Sequence, residues 1–483
     1  MIRFVCLTVL VCLLPACREQ VSTARETASL PPLVPDYTEV TVPASIAPLN
    51  FTLEGEFEWI NAVLEGNRAG QIEVQGKEDI RIPVKEWHTL LEANKGESIH
   101  ITVAAKRGGQ WELYRSFSVY VSPYAVDYGL VYRLVAPGYE VYGKMGIYRR
   151  TLSDFTQKPL IENTLVPGSC VNCHSFKETN PAYMSLHVRG EYGGTLLQSG
   201  NGETDLLNLK TEAIVSGGVY PYWHPSGDYI AYSVNKTQQM FHSAAGERIE
   251  VVDLASDVIV YDIKENRILS TPLLKTEDFE TFPAFSPDGH SLYFTCAAKR
   301  TLPGEYKDIR YNLCRIDFNP ETGMFGNRID TLVNAASVGK SISFPRPSYD
   351  GKYLMYTLSD YGNFSIWHKE ADLWLLDLQS GENRLLDEVN SSDTDSYHSW
   401  SSNSRWFVFS SRRGDGLYTR LYLASIDEGG SVSKPFLLPQ EKARLDDPLF
   451  FSYNVPEFVS GEVDVNIREA ERQLRSSVRK QAW

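Results

Sequence analysis

Beyond its first residues this 483-residue chain has no long apolar run. Nothing after the N-terminus approaches the roughly 20 apolar residues of a membrane-spanning helix. Positive charge is also short: 47 Lys and Arg stand against 61 Asp and Glu, a net charge of −14. Such a surface repels phosphate and argues against sequence-independent nucleic-acid binding. The fingerprints of nucleotide and hydrolase sites are missing. There is no P-loop and no G-x-G-x-x-G, and the Gly-Gly pairs at 108–109, 193–194, 217–218 and 429–430 lack the flanking pattern. No G-x-S-x-G elbow and no H-E-x-x-H occurs. Charged residues are only 22% of the chain while aromatics reach 12%, which excludes a disordered composition. The 34 Gly and 25 Pro beside 27 Tyr, 21 Phe and 9 Trp favour many short strands and turns over helix bundles. The length calls for more than one domain or one large repeat architecture.

Residues 1–16 read as an export signal. Arg3 is the charged start, Phe4 to Leu14 the apolar run, and Leu14-Pro15-Ala16-Cys17 resembles a bacterial lipobox. Cys17 is then the lipidation site; an ordinary cleavage near Ala16 is the alternative. Residues 17–35, ending in LPPLVP, read as a tether. The chain is expected in the cell envelope, lipid-anchored, facing the periplasm or the cell surface, on a membrane but not through it.

Cysteine is scarce: seven in all, of which Cys6 and Cys12 leave with the signal. Cys170-Val171-Asn172-Cys173-His174 is a CxxCH, the haem c attachment motif. Its two thiols would form thioethers with the haem vinyl groups and His174 would be the proximal iron ligand. A plain disulfide or a zinc site is the competing reading, and no further ligands at zinc-finger spacing appear. A single CxxCH means one covalent haem. Cys296 and Cys314 fall in expected strands of one repeat and are expected to form a disulfide, with two buried free thiols as the alternative.

Four segments share one pattern: YPYWHPSGDYIAYSV (220–234), FPAFSPDGHSLYFTC (282–296), FPRPSYDGKYLMYTL (344–358) and YHSWSSNSRWFVFSS (397–411). Each runs from an aromatic start through a polar turn into an alternating strand, and a second strand signal follows, such as DVIVYDI or ADLWLLDL. This is the pattern of propeller blades. Cys173-His174-Ser175-Phe176 falls in register with Tyr397-His398-Ser399-Trp400, and AYMSLHV (182–188) with the strands that follow. GLVYRLV (129–135), GIYRRTL (146–152) and KPLIE (158–162) supply an incomplete earlier unit, which DPLFFSYNVPEF (447–458) would complete by ring closure. Six blades follow, with five as the alternative count.

The expected fold is therefore all-β. A β-sandwich over 36–125, with Trp59, Trp87 and Trp111 in its core, precedes a propeller over 126–458 that carries the haem c motif at 170–174. Carbohydrate stacking is the minor alternative for those Trp residues. Residues 459–483 form a C-terminal amphipathic helix with Val465, Ala470, Leu474 and Val478 near one face. Its basic end could also touch anionic lipid.

The TPAFSPDG-like turns resemble TolB-type, WD-like propeller repeats. The mature chain is similar to Bacteroidota lipoproteins with a TolB-like propeller and an embedded CxxCH, through YRLVAPGYE (132–140), SCVNCHSF (169–176), MSLHVRGEYGGT (184–195) and WHKEADLWLLDL (367–378). The resemblance implies a secreted, cytochrome-like protein without an assigned reaction.

The second axial ligand of the haem decides its chemistry. Met184 aligns with Ile230, Leu292, Leu354 and Phe407, an apolar slot; His187 aligns with Ser233, Thr295, Thr357 and Ser410, where a bulky imidazole is the anomaly. His187 is favoured and Met184 comes second, with Met240 and His242 in the insert 235–256 as further candidates. Arg189 is a candidate contact for a haem propionate. His398 could face the haem or a substrate, or cap a turn; His224 reads as a turn residue, and His88, His100, His290 and His368 as structural. No catalytic residue is assigned. A one-electron carrier serving a redox partner protein or envelope complex leads. A propeller scaffold that binds a protein or glycan, with a structural or sensory haem, is the alternative, and a haem peroxidase or oxidase a minor third.

Overall fold

Alternating apolar and polar residues put one face of each strand into a core, and short polar turns reverse the chain every few residues. In the computed structural model the described residues are 19–483 except 137–142, 201, 213, 215, 242–248, 445–450 and 477. The signal, Cys17 and His242 lie outside them. The architecture is all-β and propeller-like, with three short helices: Val84–Ala93, Ala335–Val338 and Ile467–Arg475. Among the described residues no helix is long and apolar enough to cross a membrane.

Six strands line the centre: Cys170–Lys177, Val219–Trp223, Phe279–Phe285, Ser341–Pro347, Asp395–Trp400 and Ser452–Val459. Each packs beside the next, and the last returns to the first. Each continues outward into an antiparallel meander. Closure is made by Ser452–Val459, which pairs with Gly129–Val135 to complete the earliest unit. The hydrogen-bonded sheets do not separate into six. Three have four strands, one has five because Lys480–Gln481 joins it, and one has eight. The eight-stranded sheet arises where Ser256 bridges Phe279 and links two meanders. The expected count of separate blades differs from the observed sheets for that reason.

All six central strands carry the same irregularity. The register slips at a matching point in each, with a second slip at the end of Cys170–Lys177, and at the matching point one residue takes a positive φ: Cys173, Tyr220, Phe282, Phe344, Tyr397 and Val455. A non-glycine residue with φ near +50° costs on the order of 1–3 kcal/mol, so six recurrences mark a built feature. The bulge turns these side chains toward the axis. Tyr220, Phe282, Phe344 and Tyr397 form a belt of edge-on rings, with centroids 4.6, 5.6 and 5.0 Å apart in sequence. The register of the repeat read from sequence, including Cys173 opposite Tyr397 in the pattern, is that of the bulges.

The N-terminal region departs from expectation. Instead of a two-sheet sandwich it forms one seven-stranded sheet and a separate two-stranded ribbon, and residues 84–93 are helical. Trp87, Leu90 and Leu91 are the buried side of this helix, and the Trp87 indole donates to the Ile46 carbonyl. The sheet shares one core with the ring: Ile60, Val103 and Trp87 belong to the same buried cluster as Tyr132, Trp406, Leu423 and Phe458. A second sheet is not needed to cover it. Trp111 is core, whereas Trp59 is half-buried with the Lys77 ammonium 4.8 Å from its ring. The expected tether is laid down from its third residue: Glu19 pairs with Lys106 and Arg25–Glu26 adds a parallel strand to the sheet.

The C-terminal helix is shorter than expected. Ala470 and Leu474 are buried and Val465 packs beside them, but the helix stops at Arg475 and Val478 is 77% exposed. Its basic end is already engaged. Arg472 and Arg475 pair with Glu469 and Glu471, and Lys480 with Asp205.

Candidate functional site

Every bulge is preceded by a residue lying opposite one position of the second strand. Those positions are Arg133, His187, Ser233, Thr295, Thr357 and Ser410. Several of the hydroxyls stitch neighbouring units together: Ser233 accepts from the Phe282 amide at 2.9 Å, and Ser410 donates to the Tyr453 carbonyl at 3.0 Å. Two positions break the pattern, and they flank the CxxCH strand. Arg133 reaches across the seam from the preceding unit, with a guanidinium nitrogen 3.5 Å from Cys170 Sγ and 3.1 Å from Met145 Sδ. His187, on the partner strand of Cys170–Lys177, hydrogen-bonds through Nδ1 to Thr195 Oγ1 at 3.0 Å.

Space for the His187 ring comes from Gly217, where an added Cβ would stand 2.8 Å from its Cε1. Gly217→Ala is therefore expected to lower stability by about 1–3 kcal/mol. His187→Ser, which restores the residue type of the other units, should recover most of that loss. Thermal unfolding of the two single variants and the double variant checks the coupling.

Cys170 and Cys173 are buried, at 6% and 4% exposure. Cys173 sits in the aromatic belt, close to Tyr220, Tyr397 and Arg189; burial pushes its thiol up. Cys170 lies opposite Arg189 in the strand pair. His174 packs into the seam, with Nε2 3.3 Å from the Val131 carbonyl and Nδ1 buried without a partner. Burial lowers His174 to about 4 and His187 to about 3, and a nearby arginine acts in the same direction on each, Arg133 on His174 and Arg189 on His187. Both imidazoles are neutral at physiological pH, the form that can ligate a metal.

His398 is the twin of His174. Its Nε2 is 3.0 Å from the Met355 carbonyl across the equivalent seam, and its Nδ1 is likewise unpartnered. It neither caps a turn nor approaches the thiols. His224 is a turn residue that also bridges a seam, with Nδ1 2.8 Å from Ser226 Oγ and Nε2 3.0 Å from the Gly289 carbonyl. Met184 is 1% exposed in the core between the first two units, opposite Phe176. Arg133, Tyr220 and Tyr397 were not singled out in the sequence, although aligning residues 129–135 with the other second strands places Arg133 in the His187 slot.

The donor set suits a covalent haem. Two thiols and a neutral imidazole share one short strand, two guanidiniums stand beside the thiols, and His174 keeps an orphaned buried nitrogen. Ligation through Nε2 requires that His174 release the Val131 carbonyl. Among the described residues no group of three or more His, Cys, Asp or Glu is poised around a metal ion.

A second polar cluster lies where the long hairpin Tyr229–Phe241/Ile249–Asp262 folds over the ring. Asp253 accepts from Asn235, Asn363 and Tyr311 at 3.0, 2.7 and 3.2 Å; burial raises it to about 6 against those hydrogen bonds. Glu250 accepts from the Tyr361 hydroxyl at 2.8 Å. His368 stands 3.5 Å from Glu250 and 3.3 Å from Glu370. Burial opposes its charge, but the two carboxylates raise it to about 9. A raised histidine stabilises the fold fully below its unfolded value near 6.5 and loses that contribution as pH climbs through 9. Stability is thus expected to decline between pH 6.5 and 9, and His368→Gln should flatten that decline in denaturant unfolding curves.

Cys296 and Cys314 occupy adjacent strands on a diagonal, since Cys296 pairs with Asn312 and Cys314 with Phe294. Their Sγ atoms are 3.1 Å apart and unbonded.

No family model matches the chain, and no curated protein matches it. Solved structures with partial likeness include Kuenenia stuttgartiensis hydrazine synthase (14% identity, TM-score 0.31, 53% of this chain and 63% of that one). Prolyl oligopeptidase B from Galerina marginata gives 11% and 0.35 over 70% and 43%. The β-propeller domain of the Trilobed protease from Pyrococcus furiosus gives 8% and 0.33 over 70% and 81%. The chain spans less than two thirds of the first two of these. At these identities and scores the likeness transfers no activity.

Proposed function

We propose that this chain is a lipid-anchored protein of the cell envelope, a TolB-like propeller of six blades that carries one haem c on the strand Cys170–Lys177 and passes single electrons to a redox partner protein or envelope complex. The observation that supports this most is the coincidence of two departures. The CxxCH lies on the one central strand whose two flanking slots hold Arg133 and His187 in place of small hydroxyls. Haem c, when attached, supplies a one-electron iron couple. Cys170 and Cys173 would hold it covalently, His174 would be the proximal ligand, and His187 is the favoured distal ligand. Met184 comes second: it is packed in the core, while His187 would have to give up its place beside Gly217 but could keep Nδ1 on Thr195. Arg133 and Arg189 would pair with propionates, and the aromatic belt would exclude water from one side. The test is a redox titration followed optically, in which a reversible one-electron transition supports the reading and an irreducible or absent haem opposes it.

A second reading is a binding propeller for a protein or glycan. His398 favours it, because it makes the same seam contact as His174 without any neighbouring thiols. The strand is therefore complete as a structural element without a cofactor.

In an oxidising envelope we expect Cys296 and Cys314 to close a disulfide. Blocking free thiols in denatured, unreduced protein should leave both unlabelled, and reduction should cost on the order of 3 kcal/mol of stability for a loop of this length.

A further inference from the structure

The belt of bulge residues divides the channel, and the CxxCH strand does not account for what lies beyond it. Two residues past each bulge the central strands present Ser175, Tyr222, Ala284, Arg346, Ser399 and Glu457. Arg346 is 6% exposed. One of its nitrogens donates to the Pro345 carbonyl at 2.9 Å, and its guanidinium carbon lies 3.8 Å from the centre of the Phe344 ring and 5.2 Å from that of Tyr222. The carboxylate that influences it, Glu457, is not in ion-pair contact. Its other N–H groups have no protein acceptor, yet they are not sealed from solvent-sized space. A buried guanidinium without a counter-charge is costly, and proteins pair such charges.

The neighbours are similarly unfinished. Ser399, on the strand between those of Arg346 and Glu457, is 8% exposed and its hydroxyl has no partner. Glu457 accepts from the Phe176 amide at 2.9 Å, and burial raises its carboxyl to about 7 against the Arg346 charge and hydrogen bonds from the Phe176 amide and the Ser175 side chain. Glu457, Tyr222 and Tyr349 keep accessible surface despite lying deep in the ring. Glu178, beyond Phe176 and just past the end of the CxxCH strand, is exposed.

We infer that this half of the channel binds a small carboxylate that also carries a hydrogen-bond donor, such as a hydroxy or amino acid, with the carboxylate on Arg346 and the donor on Glu457. A guanidinium with free N–H groups suits a planar carboxylate. Glu457, two units away with Ser399 between, suits a donor on the next carbon. This site is independent of the haem reading.

The mature protein is titrated calorimetrically with acetate, glycolate and glycine, in parallel with Arg346→Met and Glu457→Gln. Glycolate or glycine should bind more tightly than acetate. Arg346→Met should weaken every probe at least about tenfold, the scale of a charge-assisted hydrogen-bond pair. Glu457→Gln should leave acetate unchanged and remove the advantage of the donor-bearing probes. Absence of binding by all three, or equal binding by Arg346→Met, would overturn the inference. If Arg346→Met does not fold, the Glu457→Gln comparison decides by the same criterion: an undiminished preference for glycolate or glycine refutes the assignment.

Discussion

The Cys170→Ala/Cys173→Ala variant, made with the haem c maturation machinery, is expected to carry no covalent haem while remaining folded. Both thiols are buried small groups, and each truncation should cost about 1 kcal/mol, the scale of one buried methylene. The strand itself is held by its pairing with Asn180–Arg189 and by the Phe176 amide bonded to Glu457, neither of which uses sulfur. His398→Ala is the matched control. It removes an equivalent seam histidine two units away and should leave haem loading unchanged. Haem staining after denaturing electrophoresis, with circular dichroism to confirm the fold, checks both. Equal staining in the double variant would remove the two cysteines from the site.

Truncation before Ser452 is expected to abolish cooperative folding, the largest structural effect foreseen here. Ser452–Val459 is the central strand of the earliest unit, although it comes from the far end of the sequence. Without it, Gly129–Val135 becomes a bare edge and the ring opens between Asp395–Trp400 and Cys170–Lys177. Phe458→Ala is the graded form of this test. Phe458 is 1% exposed in the core shared with the N-terminal sheet, so its loss should cost about 3–5 kcal/mol. Because Ile60, Trp87 and Phe458 belong to one cluster, both parts should unfold together. A single transition in calorimetry supports that, whereas two separate ones would show the N-terminal sheet to be an independent domain.

Much of the ring was legible because its repeat is written in side-chain chemistry. The start of the repeat, an aromatic, then Pro or His, any residue and usually a second aromatic, is the bulge and the residues after it. The alignment of Met184 with Ile230 and Leu292, and of His187 with Ser233 and Thr295, reproduces the strand registers. The closing strand was legible because the earliest unit lacks an inner strand that a later segment must supply; that Val455-Pro456-Glu457-Phe458 also repeats the pattern of Phe282-Pro283-Ala284-Phe285 is seen once the strand is placed. The N-terminal region has no repeat to constrain it. There Val84–Ala93 was passed over, although Pro83 at its start and the spacing of Trp87, Leu90 and Leu91 suit a helix. The fusion at Ser256–Phe279 is a single backbone bridge and leaves no trace in composition. Arg133 escaped because its unit reads as incomplete until the last strand returns. Arg346 and Glu457 escaped because an unpaired charge is a property of the assembled channel.

The most direct measurement is the optical spectrum, oxidised and reduced, of the mature protein produced with the haem c maturation machinery, beside His187→Ala. One covalent haem per chain with a six-coordinate c-type spectrum, turning high-spin in the variant, is the result this account predicts. Protein that leaves the same machinery without covalent haem, while a control cytochrome is loaded, would contradict it and leave an envelope propeller whose channel, rather than its cysteines, holds the function.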